Sequence, residues 1–279
     1  MTDQAADLPA AAGNEQPARR RQPFFHSVAF RRGIVLVTLA LLWQIAADFT
    51  ANPLLLPSFT QTATALWDAL LHENLATAII ASLSVLLKGY LTALAIAIVL
   101  VSLATANVFV REALLTLTAM FNPLPAIALL PLAMLWFGLG ETSLIFVLVH
   151  SVLWPFALAT FTGFQSVPET HRLVGRNYGL TGPRYVAYIL IPSALPSIIS
   201  GLKIGWAFAW RTLIAAELVF GVSSSQGGLG WFIFRNRNEL FTDKVFAGLV
   251  SVILIGLVVE FGLFRALENV TVRRWGTQT

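Results

Sequence analysis

Apolar residues run along this chain in long blocks separated by short polar stretches, and block length supports the first inference. A hydrocarbon layer about 30 Å thick needs roughly 20 apolar helical residues to cross it. Six segments meet that standard: Gly33 to Phe49, Leu75 to Ala106, Ala113 to Phe137, Thr142 to Phe164, Ala194 to Phe220 and Val245 to Phe264. The first is the shortest, and Arg31 and Arg32 ahead of Ile34 to Trp43 also fit the charged and apolar parts of a signal peptide. Five further spans and a polar leader of about thirty residues favour a retained first helix. The pattern predicts an all-α integral membrane protein with six transmembrane helices.

Composition strengthens this picture. Of 279 residues, 57% are hydrophobic and only 11% charged, against about 25% charged in a soluble domain. Mean hydropathy is +0.75. Disordered, collagen-like and disulfide-scaffold classes are excluded. The net charge of +4 is too small in so apolar a chain to point to nucleic acid, so none is expected as a partner. With no cysteine there is no disulfide, thiolate nucleophile or thiolate metal ligand.

Placement of the basic residues predicts orientation. With a cytoplasmic amino terminus, the inner side holds Arg19, Arg20, Arg21, Arg31, Arg32, Arg111, Arg172, Arg176, Arg184, Arg265, Arg273 and Arg274. The outer side holds Arg235, Arg237 and Lys244, while Lys88, Lys203 and Arg211 fall inside spans. Lys and Arg concentrate on the cytoplasmic side of membrane proteins, so both termini are expected there.

The connections are unequal. Residues 1–32 form a cytoplasmic tail whose first part, rich in Ala, Pro, Gln and Arg, is expected to be disordered. Residues 33–275 form the six-helix domain. After the first span, Phe59, Ala63, Leu66 and Leu70 recur at helical spacing behind Ser58, which can cap a short amphipathic helix on the membrane surface. The longest inner connection is 165–193. A polar outer loop, Val222 to Lys244, carries the turn-forming run Gly227, Gly228, Leu229, Gly230.

Several chemistries are missing. There is no Gly-x-x-x-x-Gly-Lys-Ser/Thr phosphate loop and no Gly-x-Ser-x-Gly elbow. His26, His72, His150 and His171 show no metal-ligand spacing, so no metal is expected, and His150 reads better as a packing residue than as a ligand. Ionisable groups inside spans are costly and therefore functional candidates. Arg211 and Glu217 lie six residues apart on the fifth helix, a spacing that puts them on different faces. Arg211 is the stronger candidate for the transport path, because a buried guanidinium needs an acid, carbonyls, water or an anionic substrate. Lys203 can snorkel from the inner end of that helix, and Glu260 reads as a bundle contact. Gly201 and Gly205 allow close helix approach, by packing in the bundle or at a subunit interface.

The inner connection is more than a linker. From Pro168 to Lys203 it carries a turn or two of helix, a break at Gly179, apolar and aromatic residues at Tyr185, Tyr188, Ile189 and Ile191, and prolines at 183, 192 and 196. Proline limits where a helix can run, so this segment presents a short rigid element outside the bilayer. Here the sequence resembles the permease subunits of bacterial ATP-binding cassette importers, whose inner loop has the form Glu-Ala-Ala, three residues, Gly, nine residues, Ile-x-Leu-Pro. Gly179, Ile189, Ile191 and Pro192 match at the right spacings, while the Glu-Ala-Ala positions hold Leu173, Val174 and Gly175. The family's glutamate contact is therefore absent, and Glu169 lies a turn too early to replace it.

Other stretches are similar to the nitrate, sulfonate and taurine group of these permeases. They are FNPLPAIALLPLAMLWFGLGE from Phe121 to Glu141, LLPSFTQTATAL from Leu55 to Leu66, AWRTLIAAE from Ala209 to Glu217, GLG from Gly228 to Gly230, and the ending around Glu268 and Trp275. Phe59 stands where that group has a second proline. The resemblance implies a type I importer permease in the bacterial inner membrane and a pair of identical permeases, each crossing the bilayer several times. It also implies a cytoplasmic ATPase dimer bound at the coupling loop, including Arg172, and a solute-binding protein outside. ATP would be used by the partner, with no cofactor on this chain and no catalysis by it. Pro123, Pro125, Pro131 and Pro155 free backbone carbonyls at membrane depth, tolerable only where protein or a water-filled path satisfies them. Pro125, Pro131, Arg211 and Glu217 are thus the candidate path residues.

Two other classes remain for comparison. An ion-coupled secondary carrier should show repeated halves and a buried acidic cluster, and a membrane-embedded enzyme or scaffold would need a polar catalytic cluster. Neither repeat nor cluster is visible. The solute stays open among nitrate, taurine, an alkanesulfonate and other small organic anions, and the resemblance also admits uncharged or heterocyclic solutes.

Overall fold

A computed structural model describes residues 28–220 and 227–271, and every structural statement concerns those residues. The first part of the tail with Arg19, Arg20 and Arg21, loop residues 221–226, and the ending with Arg273, Arg274 and Trp275 lie outside them.

Most of the described residues are helical. In chain order the α-helices are α1 (Val28–Thr50), α2 (Phe59–His72), α3 (Leu75–Ala106), α4 (Val108–Phe121), α5 (Leu130–Phe137), α6 (Glu141–Gln165), α7 (Glu169–Asn177), α8 (Gly182–Tyr185), α9 (Ile191–Phe220), α10 (Leu229–Asn238), α11 (Thr242–Val258) and α12 (Arg265–Val270). A π-helical turn at Val186–Leu190 joins α8 to α9, and another at Val259–Phe264 joins α11 to α12. Helix α1 starts at Val28, ahead of the expected Gly33, and takes in Arg31 and Arg32.

Five of these helical stretches are long and apolar enough to cross a bilayer, and a sixth crossing requires α4 and α5 together. That third span differs from expectation. In place of one helix from Ala113 to Phe137, the chain bends by 91° between α4 and the short 3-10 turn that leads into α5. The cause lies in Asn122-Pro-Leu-Pro125: each proline lacks the N–H that a continuing helix would use, and although Asn122 keeps helical angles (φ −61°, ψ −38°), Pro125 turns extended at φ −60°, ψ 114°. Pro131 starts α5 within its first turn, where its missing N–H costs nothing.

Helix α6 forms the centre, packed along α3 on one side and α9 on the other. Gly201 and Gly205 make that approach possible. A Cβ at Gly201 would lie 2.9 Å from Ala159 Cβ, and one at Gly205 3.1 Å from Val152 Cγ1. The small-residue pair therefore serves packing within the chain. Leu148, Val147, Val152, Ala157, Leu86 and Leu213 fill the shared core at 1% exposure or less. By contrast, α1 presents Val35, Leu36, Val37, Leu39 and Leu41 outward, as a lipid-facing helix must.

Lys203 does more than reach for water. It forms ion pairs with Glu268 at 2.5 Å and Glu260 at 3.5 Å, tying α9 to the end of the last span. Ser58 caps α2 as its spacing predicts: its Oγ accepts from Gln61 N–H, and Gln61 Oε1 accepts from Ser58 N–H. Ser58→Ala should destabilise the protein by about 1 kcal/mol, seen as a small drop in melting temperature in detergent; an unchanged melt would show that the box is dispensable.

Candidate functional site

Three groups of residues stand out, and the first is the inner connection. Helix α7 follows directly after α6 and is amphipathic. Arg172 turns back to the end of α6, its Nη2 donating to Phe164 O at 2.7 Å and its Nε to Val167 O at 3.2 Å. These bonds satisfy carbonyls that a helix end leaves open, so Arg172 anchors α7 to the bundle. Gly175 is buried against the returning chain, where a Cβ would sit 2.8 Å from Ile189 Cγ1 and 3.0 Å from Tyr185 Cε2. Leu173, Val174 and Tyr178 point away from the bundle at 48%, 49% and 82% exposure. The chain turns away just past α7 at Gly179, whose φ of +69° is a left-handed value that glycine adopts without strain. Ile191 and Pro192 open α9, with Ile191 exposed and Pro192 half-buried.

The second group surrounds the break in the third span. A cavity of about 420 Å³ is lined by the Phe121–Ile127 bend, by His150, Ser151, Trp154 and Pro155 of α6, and by Phe208, Arg211, Thr212 and Ala215 of α9. Phe121 stacks on Trp154 with ring centroids 5.2 Å apart. Arg211 donates from Nε to Ala207 O at 3.1 Å and lies over the Phe208 ring at 5.0 Å. Among the described residues no carboxylate pairs with it. Pro155 sits inside α6, so the Ser151 carbonyl lacks its usual helical donor. Pro125 and Arg211 thus share one cavity, and Pro131 does not line it.

Glu217 belongs to the third group, on another face of α9. It is 2% exposed, and both carboxylate oxygens accept from Ser82 Oγ at 2.8 Å. Its Oε2 also accepts from Gly230 N–H at 2.8 Å, while Ser82 Oγ accepts from Leu229 N–H at 2.8 Å. The carboxylate therefore sits at the start of α10, where free N–H groups and the helix dipole favour negative charge. The glycines of the GLG run are explained by space: a Cβ at Gly228 would enter the Glu217 carboxylate, and one at Gly230 would lie 2.8 Å from Ile214 O.

His150, read from the sequence as a satisfied packing residue, does pack edge-on against the rings of Phe121 and Trp154, but its hydrogen-bonding capacity is unmet. Both ring nitrogens of His150 and Nε1 of Trp154 are buried with no hydrogen-bond partner among the described residues. Ser82 gave no signal, because a lone serine in an apolar helix is ordinary. The spacing of His150 and Trp154, four apart and one residue before Pro155, was the available clue.

With this geometry in hand, likeness to known proteins is informative. The model of a family described as binding-protein-dependent transport system inner membrane components matches residues 93–268. The chain is 30% identical to the taurine transport system permease protein of Escherichia coli over 89% of its own length and 90% of that protein. It is 29% identical to a nitrate import permease protein of Synechocystis over 88% and 91%. A permease protein of Escherichia coli named for aliphatic sulfonates transport is 32% identical over 50% of this chain and 52% of its own.

Proposed function

Because this chain belongs to the binding-protein-dependent transport system inner membrane components, the permease subunits of ATP-binding cassette importers, we propose that it carries a small anion and takes its power stroke through α7. As a permease it is a non-catalytic membrane component, and its system also contains an ATPase and a solute-binding protein.

The observation that carries the coupling role is the exposed apolar face of α7. Leu173, Val174 and Tyr178 form a patch outside the bundle, beside exposed Arg176 and Arg184. Apolar patches rimmed by charge suit a protein partner. The ATPase docks here, and with Leu173, Val174 and Gly175 in place of Glu-Ala-Ala it does so by apolar contact where the family uses a glutamate. Gly179, Ile189, Ile191 and Pro192 shape the turn that presents the patch.

Orientation follows from the arginines. Arg111 and Arg172 line one hollow at the α3–α4 corner, whereas Lys244 pairs with Glu73 beside α2. The first end faces the cytoplasm with both termini, as the distribution of Lys and Arg favours. Two copies pair around the path, supported by the exposed side of α9 at Ile204, Phe208 and Val219. ATP stays on the partner: its closure draws the two α7 elements together and turns the permeases from inward-open to outward-open. The solute is of the nitrate, sulfonate or taurine class for which the relatives are named.

Mild-detergent purification should bring down a nucleotide-binding subunit, and liposomes with the full complex should show ATP-dependent uptake. Loss of both results would overturn the reading. Gly179→Val should insert normally yet lower solute-stimulated ATP hydrolysis several-fold, since a β-branched residue is strained at that φ although nothing lies within 4 Å of its Cβ. Wild-type stimulation in that variant would contradict the role of the bend.

A further inference from the structure

From the hollow where α3 turns into α4, we infer a binding site for an anionic glycerophospholipid, its phosphate held by Arg111 and Arg172 and an acyl chain laid along the bundle. The importer reading enters only in assigning this end of the bundle to the cytoplasmic leaflet.

Position comes first. Helix α3 has 32 residues, about 48 Å at 1.5 Å per residue, which exceeds the roughly 40–45 Å of a bilayer with its headgroups. Its last turn, with Ser102 and Thr105, and the corner at Asn107 therefore lie at headgroup level. Just past that corner Val108 and Phe109 are 65% and 81% exposed. Two large apolar side chains at an outward-facing helix start suit lipid better than water.

Charge decides the kind of headgroup. Arg111 of α4 and Arg172 of α7 line one hollow of about 810 Å³. Arg111 pairs with its neighbour Glu112 at 3.1 Å, with the two side chains 41% and 62% exposed, and a pair so exposed is weak. Arg172 commits Nε and Nη2 to the Val167 and Phe164 carbonyls, and its Nη1 has no partner among the described residues. Asn107 lines the hollow too; its Oδ1 accepts from the Phe109 and Val110 N–H groups, which leaves its amide N–H groups to donate. No Asp or Glu lines this space. Two guanidinium groups and an amide match the oxygens of a phosphate, and basic pockets between spans on the cytoplasmic side are where anionic headgroups bind.

The remaining wall separates a lipid from a free phosphate. Leu103, Phe161, Phe164, Val186, Leu190 and Ile191 line it, and a bare phosphate touches none of that apolar surface. An acyl chain covers it. The volume falls within the roughly 300–1,000 Å³ of sites that enclose whole small molecules. The ATPase has a different face: Leu173, Val174 and Tyr178 of α7 are exposed away from the bundle, whereas Arg172 turns back toward it.

The test places the purified permease–ATPase complex in phosphatidylcholine nanodiscs doped with phosphatidylglycerol, or with phosphatidylcholine, that carries a photoactivatable group in its acyl chain. Mass spectrometry then maps the labelled peptides. Phosphatidylglycerol should label 161–165 and 186–191 several-fold more than phosphatidylcholine does. Arg111→Gln should lower that labelling about fivefold, the effect of one basic residue near an anionic surface, and Arg111→Lys should retain most of it. Equal labelling by the two lipids, wild-type labelling in Arg111→Gln, or loss of the label on adding soluble glycerol phosphate, the mark of a free-anion site, would overturn the proposal. Absence of label from both stretches in the wild-type complex, as when the ATPase fills the hollow, would do the same. Nanodiscs expose both leaflets, so the labelling does not depend on orientation. ATP-dependent uptake in liposomes is read separately: its absence would sink the importer reading while leaving the lipid result standing.

Discussion

Replacing Glu217 with alanine is expected to destabilise the protein by about 3 kcal/mol, because it strands the Gly230 N–H and the Ser82 hydroxyl in a buried site where each orphan costs about 1–3 kcal/mol. Glu217, Ser82, Leu229 and Gly230 form a closed set of hydrogen bonds that joins α9, α3 and the start of α10. No other described group lies in position to take over. A melt in detergent should move down by roughly 5–10 °C. Glu217→Gln keeps one carbonyl oxygen for the Gly230 N–H and should lose less. A wild-type melt for Glu217→Ala would mean that α10 is held by its apolar residues Leu229, Phe232 and Ile233 alone. Glu217 fastens α10 to the bundle, while Arg211 borders the cavity on another side of α9.

The second large effect is expected at Gly175. Any side chain there meets Ile189 and Tyr185, so Gly175→Val must push α7 away from the chain that returns to α9. Overpacking of this kind costs about 1–3 kcal/mol. The bundle core is remote, so insertion and assembly of the spans should survive. Solute-stimulated ATP hydrolysis should fall by about tenfold, equivalent to about 1.4 kcal/mol in the coupled step. Hydrolysis by the complex at the wild-type stimulated rate would show that the position of α7 is not what passes force to the membrane. Gly175 occupies the last of the three positions where the family pattern has Glu-Ala-Ala, and its close approach to Ile189 accounts for a small residue there whatever becomes of the glutamate.

Much of this was legible along the chain because bilayer physics acts on one dimension of the sequence. Leu75 to Ala106 must be helical and must span, since no other structure satisfies its backbone in lipid. Ser58 and Gln61 announced their capping box through spacing alone. Gly179 marked a bend, and φ of +69° is what such a bend demands. The family was readable for the same reason: Gly179, Ile189, Ile191 and Pro192 keep fixed distances along the chain, and the matched family region, 93–268, contains them all.

What stayed hidden depended on groups that meet only after folding. Prolines 123 and 125 mark a weakened helix, but the size of the turn, 91°, is seen only once the stretch is packed against α6 and α9. Lys203 could be read as snorkelling because Glu260 and Glu268 lie far along the chain and reach it only through the packing of the last span. His150 reads as an ordinary packing residue, and only the fold shows that its ring packs against Phe121 of the bend with neither nitrogen paired among the described residues.

Sequence by itself determined the number of apolar blocks, their helical state, the element between the fourth and fifth spans and the kinship of the chain. Those properties follow from local hydrophobicity, chain stiffness and spacing, which need no partner. Tertiary structure alone decided which polar groups pair with charge: Glu217 is satisfied because α3 and α10 bring donors to it, whereas among the described residues Arg211 meets only the Ala207 carbonyl and the Phe208 ring, with no acid in reach. A charge inside a membrane takes its role from its neighbours, and neighbours 135 residues apart, as Ser82 and Glu217 are, are assigned only by the fold.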